Sequence, residues 1–345
     1  ASVSEGLVAN EGLVANEGLV ANEGSNIIPQ GLTWIGNSCY IDSVLLCLLS
    51  QDNTFTRRLL NGVIEDLPTE NGYECGTTSN KDIQNRQLIQ KELLQIRDFI
   101  FGKRISTKKC TQLRNLIKNC DNLKQYSNTK QNDSAQFLQH LIRILPHDTS
   151  VVSTEILVEY DEESLNRGYT PRTIEQILEP SIIYNVPVNL IKSINKQNPK
   201  HIKDFLIQKT TDILVRDGKE FTKNETKELI YTPYLVFNFT RVEYDNVNNK
   251  LKNVFNHINI DLEITMANTQ KYIFTGVVIY HSNHYVCAFK FGKNWYYYND
   301  MSENKIINYG PNFNNLVKKI PQIHNPNKKG ILYFYTPVEP LIPKP

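Results

Sequence analysis

The pattern of apolar and polar residues predicts helices in the first part of the chain. Apolar residues recur at helical spacing in three early segments, 38–50, 82–101 and 111–118. A fourth predicted helix covers 137–145, and Asp133 precedes it as an N-cap in a sequence close to a capping box. We therefore expect a helical layer before the middle of the chain.

Beyond Pro146, short runs rich in Val, Ile, Phe and Tyr predict strands. Residues 195–225 are polar, and we expect one helix there, near 201–208. A helical layer followed by a mostly β layer predicts an α+β fold, in which the start of a helix can face a sheet across a cleft. The predicted strands cover 156–159, 182–189, 234–239, 272–280, 285–291, 295–298 and 332–335.

A repeat occupies the beginning of the chain, where EGLVAN occurs three times in residues 5–22. Three copies of so short a unit are too few to stack a core of their own. We therefore expect residues 1–26 to form a disordered, low-complexity tail and residues 27–345 to form the globular domain.

Composition and charge narrow the possible partners. The chain has 345 residues, 40% of them hydrophobic and 21% charged, so it can bury a sizeable core. Its net charge is only +2 and no basic block occurs, so nucleic acid is not expected as a partner. No apolar run approaches the roughly 18 residues that span a bilayer, and no basic region of a secretory signal is present. We expect a soluble monomer without a membrane partner, working in the cytoplasm, the nucleus or a virion.

The six cysteines contain no C-x-x-C pair, which argues against a structural zinc site. In a chain this long, so few cysteines also argue against a disulfide framework. Cys39 lies in the first turn of a predicted helix, where unpaired N–H groups and the helix dipole lower the pKa of a thiol. Taken alone, a cysteine in that place is more often structural. Cys47 is expected in the core, and no catalytic context surrounds Cys75, Cys110 or Cys120.

A nucleophilic thiolate needs a general base, and the base needs a group that orients it. His284 follows a tight turn and begins a predicted strand, whereas without this context it would be interpreted as a surface residue. Asn299 and Asp300 end the next strand, where either could hold the imidazole. An Asn suffices, because a Cys–His ion pair needs orientation more than added charge. Side chains alternate along a strand, so only one of the two is expected to face His284.

Five segments resemble the ubiquitin-specific protease family, and they occur in the family's order. The first, GLTWIGNSCYIDSVLLCLL, is similar to the family's Cys box, and its NSCYIDS form is closest to the cylindromatosis-type branch. The second, QNDSAQFLQHLI, resembles the start of a family helix, and the fourth resembles the family's His box. The five segments are 31–49, 131–142, 233–264, 272–300 and 331–336.

The resemblance implies a papain-like α+β fold. A helical thumb would cover about 27–148, reduced β fingers about 150–230 and a β palm about 231–340. It also implies hydrolysis of the isopeptide or peptide bond after the C-terminal Gly-Gly of ubiquitin. The expected partners are therefore ubiquitin and ubiquitinated proteins.

The resemblance also assigns residues to roles. Asp133 is implied to contact the basic C-terminal tail of ubiquitin, which is compatible with capping its helix. Further substrate contacts are expected at Tyr285 and Trp34. The catalytic residues implied by the family's motifs are Cys39, His284 and Asn299, with Asp300 adjacent to the third.

The chain departs from the family at three points. Trp34 stands where the family has the Asn of its oxyanion hole, and since an indole is bulky, the backbone N–H of Cys39 is the donor we expect. Asn283 replaces the Gly before the catalytic His, and Asn tolerates the positive φ that Gly would supply. The segment expected to form the fingers lacks cysteine, so we expect no zinc site and no other cofactor.

Two other functions stay open at this point. Trp34 is compatible with a catalytically weak ubiquitin-binding module. The same Cys and His pattern also suits a papain-like protease for another ubiquitin-like modifier or for a viral polyprotein. His281 matches a histidine that the family often carries, and no catalytic role accompanies it.

Overall fold

The computed structural model describes residues 27–64, 73–103, 108–159, 172–216 and 219–338. The EGLVAN repeat lies outside these ranges, so the expectation of a disordered tail stays a prediction. No helix within these ranges combines the length and apolar character that a membrane span requires.

The longer helices form the first part of the fold, as the sequence predicts. The first of them is buried along its whole length, because CYIDSVLLCLL is apolar around most of its circumference. The sequence missed only the second, which Asn53 caps by accepting from the backbone N–H of Thr56 (2.8 Å). In the described part of the chain they are α1 (Cys39–Leu49), α2 (Thr54–Asn61), α3 (Ser79–Ile100), α4 (Thr111–Ile117) and α5 (Ser134–Arg143).

Strands dominate the second part, which confirms the α+β class. Among the described residues, three short α-helices accompany them: α6 (Val188–Lys192), α7 (Phe313–Lys319) and α8 (Pro326–Lys329). The described strands are β1 (Ser150–Glu159), β2 (Arg172–Ser181), β3 (Tyr184–Val186), β4 (Ile207–Arg216), β5 (Lys219–Tyr231), β6 (Leu235–Phe239), β7 (Val242–Asp245), β8 (Lys250–Asn253), β9 (Glu263–Thr265), β10 (Lys271–His281), β11 (His284–Phe291), β12 (Asn294–Tyr298), β13 (Ile306–Asn308) and β14 (Gly330–Pro337).

Within the described ranges these strands form a large sheet, a smaller sheet and a hairpin. The large sheet has the order β13-β12-β11-β10-β14-β6-β3, with β9 paired to β10. Its strands are antiparallel except for the parallel pair of β3 and β6. The smaller, antiparallel sheet has the order β2-β1-β5-β4, and β7 pairs with β8.

Helix α1 packs directly on β10 and β11, and this contact positions the candidate site. Gly276 on β10 permits the close approach, since a Cβ there would lie 3.1 Å from Sγ of Cys47 on the helix. Cys47 is fully buried in this contact, as expected. The start of α1 therefore lies at the end of strands β10 and β11 where their hairpin turns.

The prediction for residues 195–225 is wrong. A short 3-10 helix, Ile202–Phe205, is followed by a long antiparallel hairpin of β4 and β5, with Ile207 opposite Glu228 and Arg216 opposite Lys219. These strands carry polar residues on both faces, so the alternation that would reveal a half-buried strand is missing. The predicted strand 182–189 is also interrupted, because Pro187 ends β3 and precedes α6.

The expectation that the cysteines stay unpaired is also wrong. A disulfide joins Cys75 to Cys120, while Cys39, Cys47, Cys110 and Cys287 are free thiols. The chain returns to the same place at both cysteines, since the backbone N–H of Asp121 donates to the carbonyl of Glu74 (3.0 Å). A separation of 45 residues gives no sign of this proximity in the sequence.

Candidate active site

Helix α1 begins at Cys39, and Ser38 occupies its N-cap position without capping it. The Ser38 hydroxyl instead donates to Oδ2 of Asp42 (2.6 Å) and accepts from the backbone N–H of Ile35 (3.0 Å). The N–H groups in the first turn of α1 therefore have no side-chain acceptor in the described structure, directly beside the thiol.

Asp42 is fully buried one turn into the helix. Its other oxygen, Oδ1, accepts from Sγ of Cys110 (2.8 Å). Burial raises the pKa of the Asp42 carboxyl to about 7, although the hydrogen bonds from Cys110 and Ser38 act in the opposite direction. Asp42, Ser38 and Cys110 thus form a buried polar cluster, and the Ser38 hydroxyl donates to Asp42 instead of capping the helix.

The loop before Cys39 is held by hydrogen bonds from a distant side chain. Gly36 and Asn37 adopt left-handed backbone conformations, with φ of 47° and 55°. Arg114 reaches the same loop, and its Nη1 donates to the carbonyls of Ile35 (2.8 Å) and Gly36 (2.9 Å). The position of the first turn of α1 is therefore set by contacts outside the helix itself.

A two-residue turn positions His284 at the start of β11. His281 and His284 face each other across the hairpin, and Ser282 and Asn283 between them have φ of 49° and 63°. Two consecutive left-handed residues are typical of a type I′ turn. The prediction that Asn283 adopts a positive φ is confirmed, and its Oδ1 accepts from the hydroxyl of Tyr280 (2.9 Å).

Both candidate orienting residues lie beside the same imidazole nitrogen. Nε2 of His284 is 3.0 Å from Oδ1 of Asn299 and 3.4 Å from Oδ1 of Asp300. The expectation that only one of the two would face His284 is therefore wrong. Strand β12 ends at Tyr298, so Asn299 and Asp300 belong to a turn in which strict alternation no longer applies.

The carboxylate of Asp300 is wholly buried. The imidazole of His284 is its ion-pair partner, and the backbone N–H groups of Asp300 and Met301 also favour its charged form. Burial raises the pKa of Asp300, while the charge of His284 acts to lower it. The negative charge of this carboxylate is stabilised most when His284 is protonated, because the two groups then form an ion pair.

The thiol of Cys39 is almost completely buried. Burial raises its pKa, a hydrogen bond from the Tyr285 backbone lowers it, and the negative charge of Asp300 raises it further. The prediction of a lowered pKa for this thiol is therefore wrong in its resting environment, because desolvation by burial, the largest influence on it, raises the pKa. Tyr285 follows His284 directly, so the start of β11 lies against the Cys39 thiol. The side-chain amide of Gln131 also contacts the sulfur, at 3.8 Å.

The expected substrate-binding residues lie at different depths. Asp133 is exposed and accepts from the backbone N–H of Gln136 (2.8 Å), which confirms its role as the N-cap of α5. Tyr285 is buried behind it, and burial followed by the Asp133 charge raises the pKa of its hydroxyl. The Tyr285 ring packs against Tyr280, with ring centroids 4.9 Å apart.

Trp34 behaves differently. Its side chain is 46% exposed, and its indole N–H makes no hydrogen bond to any described residue. The structure therefore does not bring this side chain into polar contact with Cys39.

Two buried residues behind Asn299 were not found from the sequence. The hydroxyl of Tyr297 is 2.6 Å from Nδ1 of His324, and the Asn299 side chain also hydrogen-bonds this tyrosine. Burial, followed by the charges of His284 and His281, lowers the pKa of His324 to about 4, so its neutral ring accepts from Tyr297. Tyr297 could have been noticed within the run WYYYND, but nothing near His324 in the sequence marks it.

In the part of the chain that the structure describes, no cluster of three His, Cys, Asp or Glu residues could hold a metal ion. The side chains that meet at the site are the thiol of Cys39, the imidazole of His284, the amides of Gln131 and Asn299, and the buried carboxylate of Asp300.

Comparisons with known proteins identify the family and a similar fold. The family model described as ubiquitin carboxyl-terminal hydrolase matches residues 30–335. A solved structure of the yeast SAGA DUBm contains a chain with a similar fold, at a TM-score of 0.55 and 17% sequence identity. The match covers 89% of this chain and 68% of that one. No curated protein matches the sequence.

Proposed function

The chain belongs to the ubiquitin carboxyl-terminal hydrolase family, whose match covers residues 30–335, and we propose that Cys39 and His284 perform its hydrolysis. It is a cysteine-type ubiquitin hydrolase with a papain-like fold of the ubiquitin-specific protease type. The bond cleaved is the isopeptide or peptide bond after the C-terminal Gly-Gly of ubiquitin. The observation that carries this proposal is the hydrogen bond between the imidazole of His284 and the side chain of Asn299. The residue after His284 on the same strand, Tyr285, contacts the Cys39 thiol through its backbone.

The hydrogen bond to Asn299 selects the tautomer of His284. Oδ1 of Asn299 also accepts from the backbone N–H of Met301 (3.1 Å), which identifies that atom as the oxygen. An acceptor beside Nε2 keeps the proton there, so Nδ1 of His284 carries the lone pair. This nitrogen is the one that takes the proton of the thiol.

The reaction then follows in balanced steps. Transfer of the thiol proton to Nδ1 of His284 gives a thiolate, which attacks the carbonyl carbon of the terminal glycine. A C–S bond forms while the carbonyl electrons move to the oxygen. Collapse of this intermediate breaks the C–N bond, and the imidazolium protonates the leaving amine. Water, deprotonated by His284, next attacks the thioester, and C–S cleavage releases the ubiquitin carboxylate and the thiol.

Asn299 and Asp300 have complementary roles in this proposal. Because burial raises the pKa of Cys39, formation of the thiolate depends on stabilising the imidazolium. Asn299 fixes the orientation of the ring through its 3.0 Å contact. Asp300 contributes negative charge at 3.4 Å, in a buried environment where screening by water is weak.

The substrate tail is assigned to the face that carries Asp133. This carboxylate is exposed and caps α5 through one oxygen, which leaves Oδ2 for a basic residue of the ubiquitin tail. Tyr285 forms the buried floor behind it, and the exposed indole of Trp34 offers an apolar contact.

The regional assignments are proposals as well. We place a thumb at about 27–148, fingers at about 150–230 and a palm at about 231–340. The NSCYIDS sequence and the cysteine-free fingers favour the cylindromatosis-type branch and a zinc-free fold. A monomer acting in the cytoplasm or nucleus, without nucleic acid, fits the near-neutral charge of the chain.

A catalytically weak ubiquitin-binding module is the second candidate. The observation that favours it is the thiol itself, since burial raises the pKa of Cys39 and Trp34 supplies no hydrogen bond toward it. Such a module would bind ubiquitin with normal affinity and release no reporter.

Labelling and turnover separate these functions. Wild-type protein should form a covalent adduct with ubiquitin that carries a C-terminal electrophile, and it should hydrolyse a ubiquitin C-terminal reporter. Cys39→Ala should lose both and keep its melting temperature, because Ala is well tolerated in the first turn of a helix. Adducts that persist in this variant and map to Cys47 or Cys287 would overturn the assignment. Binding without adduct or turnover in the wild type would support the module.

A further inference from the structure

The amide of Gln131 lies beside the nucleophile in a position that the triad does not use. Both of its polar atoms are 3.8 Å from Sγ of Cys39. In the described structure this side chain has no hydrogen-bond partner apart from the sulfur. Gln131 is half-buried, three residues before the start of α5. The amide therefore makes no hydrogen bond to another described residue that would assign it a purely structural role.

The proposed reaction needs hydrogen-bond donors next to the Cys39 sulfur. When the thiolate attacks, negative charge develops on the carbonyl oxygen, and two donors commonly stabilise it. The uncapped first turn of α1 supplies the backbone N–H of Cys39. Trp34 makes no polar contact there, so a second donor has to come from elsewhere.

We propose that the side-chain amide of Gln131 is this second donor, so that its Nε2 and the backbone N–H of Cys39 together form the oxyanion hole. This inference rests on the proposed hydrolytic function. The oxyanion forms on the carbon bonded to Sγ, so a donor about 2.7–3.1 Å from it lies near the sulfur but outside bonding distance. The 3.8 Å separation of Gln131 from Sγ fits this requirement.

The surroundings hold the amide in place. Asn132, the next residue, donates to the hydroxyl of Tyr40 (3.3 Å) and to the carbonyl of Lys130 (3.0 Å). Asp133 then closes the first turn of α5. The segment that carries Gln131 is therefore fixed on α1 and α5 together, and a preorganised donor is more effective than a mobile one.

Substitutions at Gln131 test the role of its N–H. Gln131→Ala removes the amide, and Gln131→Glu keeps its shape but replaces the donor by a negatively charged acceptor. We expect Gln131→Ala to lower kcat for a ubiquitin C-terminal reporter by about 10²–10³-fold with little change in KM, and Gln131→Glu to lower it at least as much. Gln136→Ala, at an exposed glutamine in the first turn of α5, five residues after Gln131, is the matched control and should keep wild-type kcat.

Two ubiquitin probes separate a donor to the oxyanion from a merely structural residue. With ubiquitin aldehyde the thiol adds to a carbonyl carbon, and the product carries a tetrahedral oxygen. With ubiquitin propargylamide the thiol adds across an alkyne, the proton goes to the terminal carbon, and the vinyl thioether that forms carries no such oxygen. Gln131→Ala should bind the aldehyde about 10²-fold more weakly, in line with one lost donor, and should react with the propargylamide at a rate close to wild type.

Three results would overturn the proposal. These are wild-type kcat in Gln131→Ala, equal losses with both probes, or full activity in Gln131→Glu, which would identify the amide as an acceptor for the thiol. If the wild-type protein reacts with neither probe, the proposed hydrolytic function itself fails, so the two failures are distinguishable.

Discussion

Helices α1 and α5 pack against each other, yet their first turns are built in opposite ways. At α5, the carboxylate of Asp133 accepts from the N–H of Gln136 at 2.8 Å and closes the turn. At α1, Ser38 stands at the same position, but its hydroxyl is used by Asp42 and the turn stays uncapped. A capped start adds stability, whereas an uncapped start keeps its N–H groups for an anion.

The buried carboxyl of Asp42 explains the difference. It lies within a helix that is buried on all sides, so it must take its hydrogen bonds from neighbouring side chains. Ser38 and Cys110 provide them, and the cost to α1 is the loss of its N-cap. The N-terminus of α1 therefore stays uncapped because of buried polar groups inside the fold, Asp42 and Cys110, and not because of a residue in the substrate cleft.

The largest expected effect concerns His284, the proposed general base for Cys39 at the uncapped start of α1. Asn299→Ala should lower kcat/KM for a ubiquitin reporter by roughly tenfold to a thousandfold, since His284 loses the acceptor that fixes its ring and tautomer. Asp300→Asn, which removes charge and keeps the shape, should lower it less. Steady-state rates at low substrate concentration compare the two variants.

A control and a contrary outcome belong to this comparison. Asn308→Ala, on the neighbouring strand β13, should leave the rate unchanged. A loss in Asp300→Asn that clearly exceeds the loss in Asn299→Ala would mean that charge at His284 matters more than orientation.

The next effect is on stability as a function of pH. The folded pKa of Asp42 is raised to about 7, above its usual value of 3.8. Between these values the folded state holds a proton that the unfolded state has lost, so the free energy of unfolding should fall as pH rises. The slope contributed by Asp42 is at most about 1.4 kcal/mol per pH unit. Asp42→Asn should remove this contribution in denaturant unfolding curves measured from pH 4 to pH 8.

An exposed carboxylate provides the control for that experiment. Asp98→Asn, on α3, should keep the wild-type dependence on pH because its side chain is 40% exposed and its ion pair with Lys103 is screened by solvent. An unchanged slope in Asp42→Asn would show that the buried cluster does not cause the pH dependence.

A smaller effect separates the two roles of Asp133. Asp133→Ala removes both the cap and the charge, and it should lower the free energy of unfolding by about 1 kcal/mol. Asp133→Asn keeps a good N-cap and should preserve stability. If the carboxylate binds the basic tail of ubiquitin, KM should rise in both variants. A normal KM in Asp133→Asn would limit the residue to its structural role.

The smallest expected effect is at Trp34. Because its indole is exposed and has no polar contact to the thiol, Trp34→Ala should leave kcat close to wild type. A modest rise in KM would be consistent with an apolar substrate contact. A large fall in kcat, measured with the same reporter, would instead assign the indole N–H to the oxyanion hole.

The sequence by itself determined the parts of the molecule whose pattern is local. The apolar run CYIDSVLLCLL predicted the buried helix α1, and Asp133 before an amphipathic segment predicted the start of α5. Asn283 before His284 indicated a left-handed turn, because Asn adopts a positive φ more readily than most residues. Family-specific order along the chain predicted the α+β fold and the ubiquitin hydrolase class.

The tertiary structure decided what depends on residues far apart in the chain. Gln131 lies 92 positions from Cys39, and their contact exists only because α5 packs on α1. Desolvation of the Cys39 thiol, and the Cys75–Cys120 disulfide, likewise follow from packing that no local pattern encodes. The polar hairpin of β4 and β5 was missed for a related reason, since its strands are stabilised by pairing with each other. A helix terminus can thus be predicted from its own residues, but the pKa of the group placed there is set by everything packed around it.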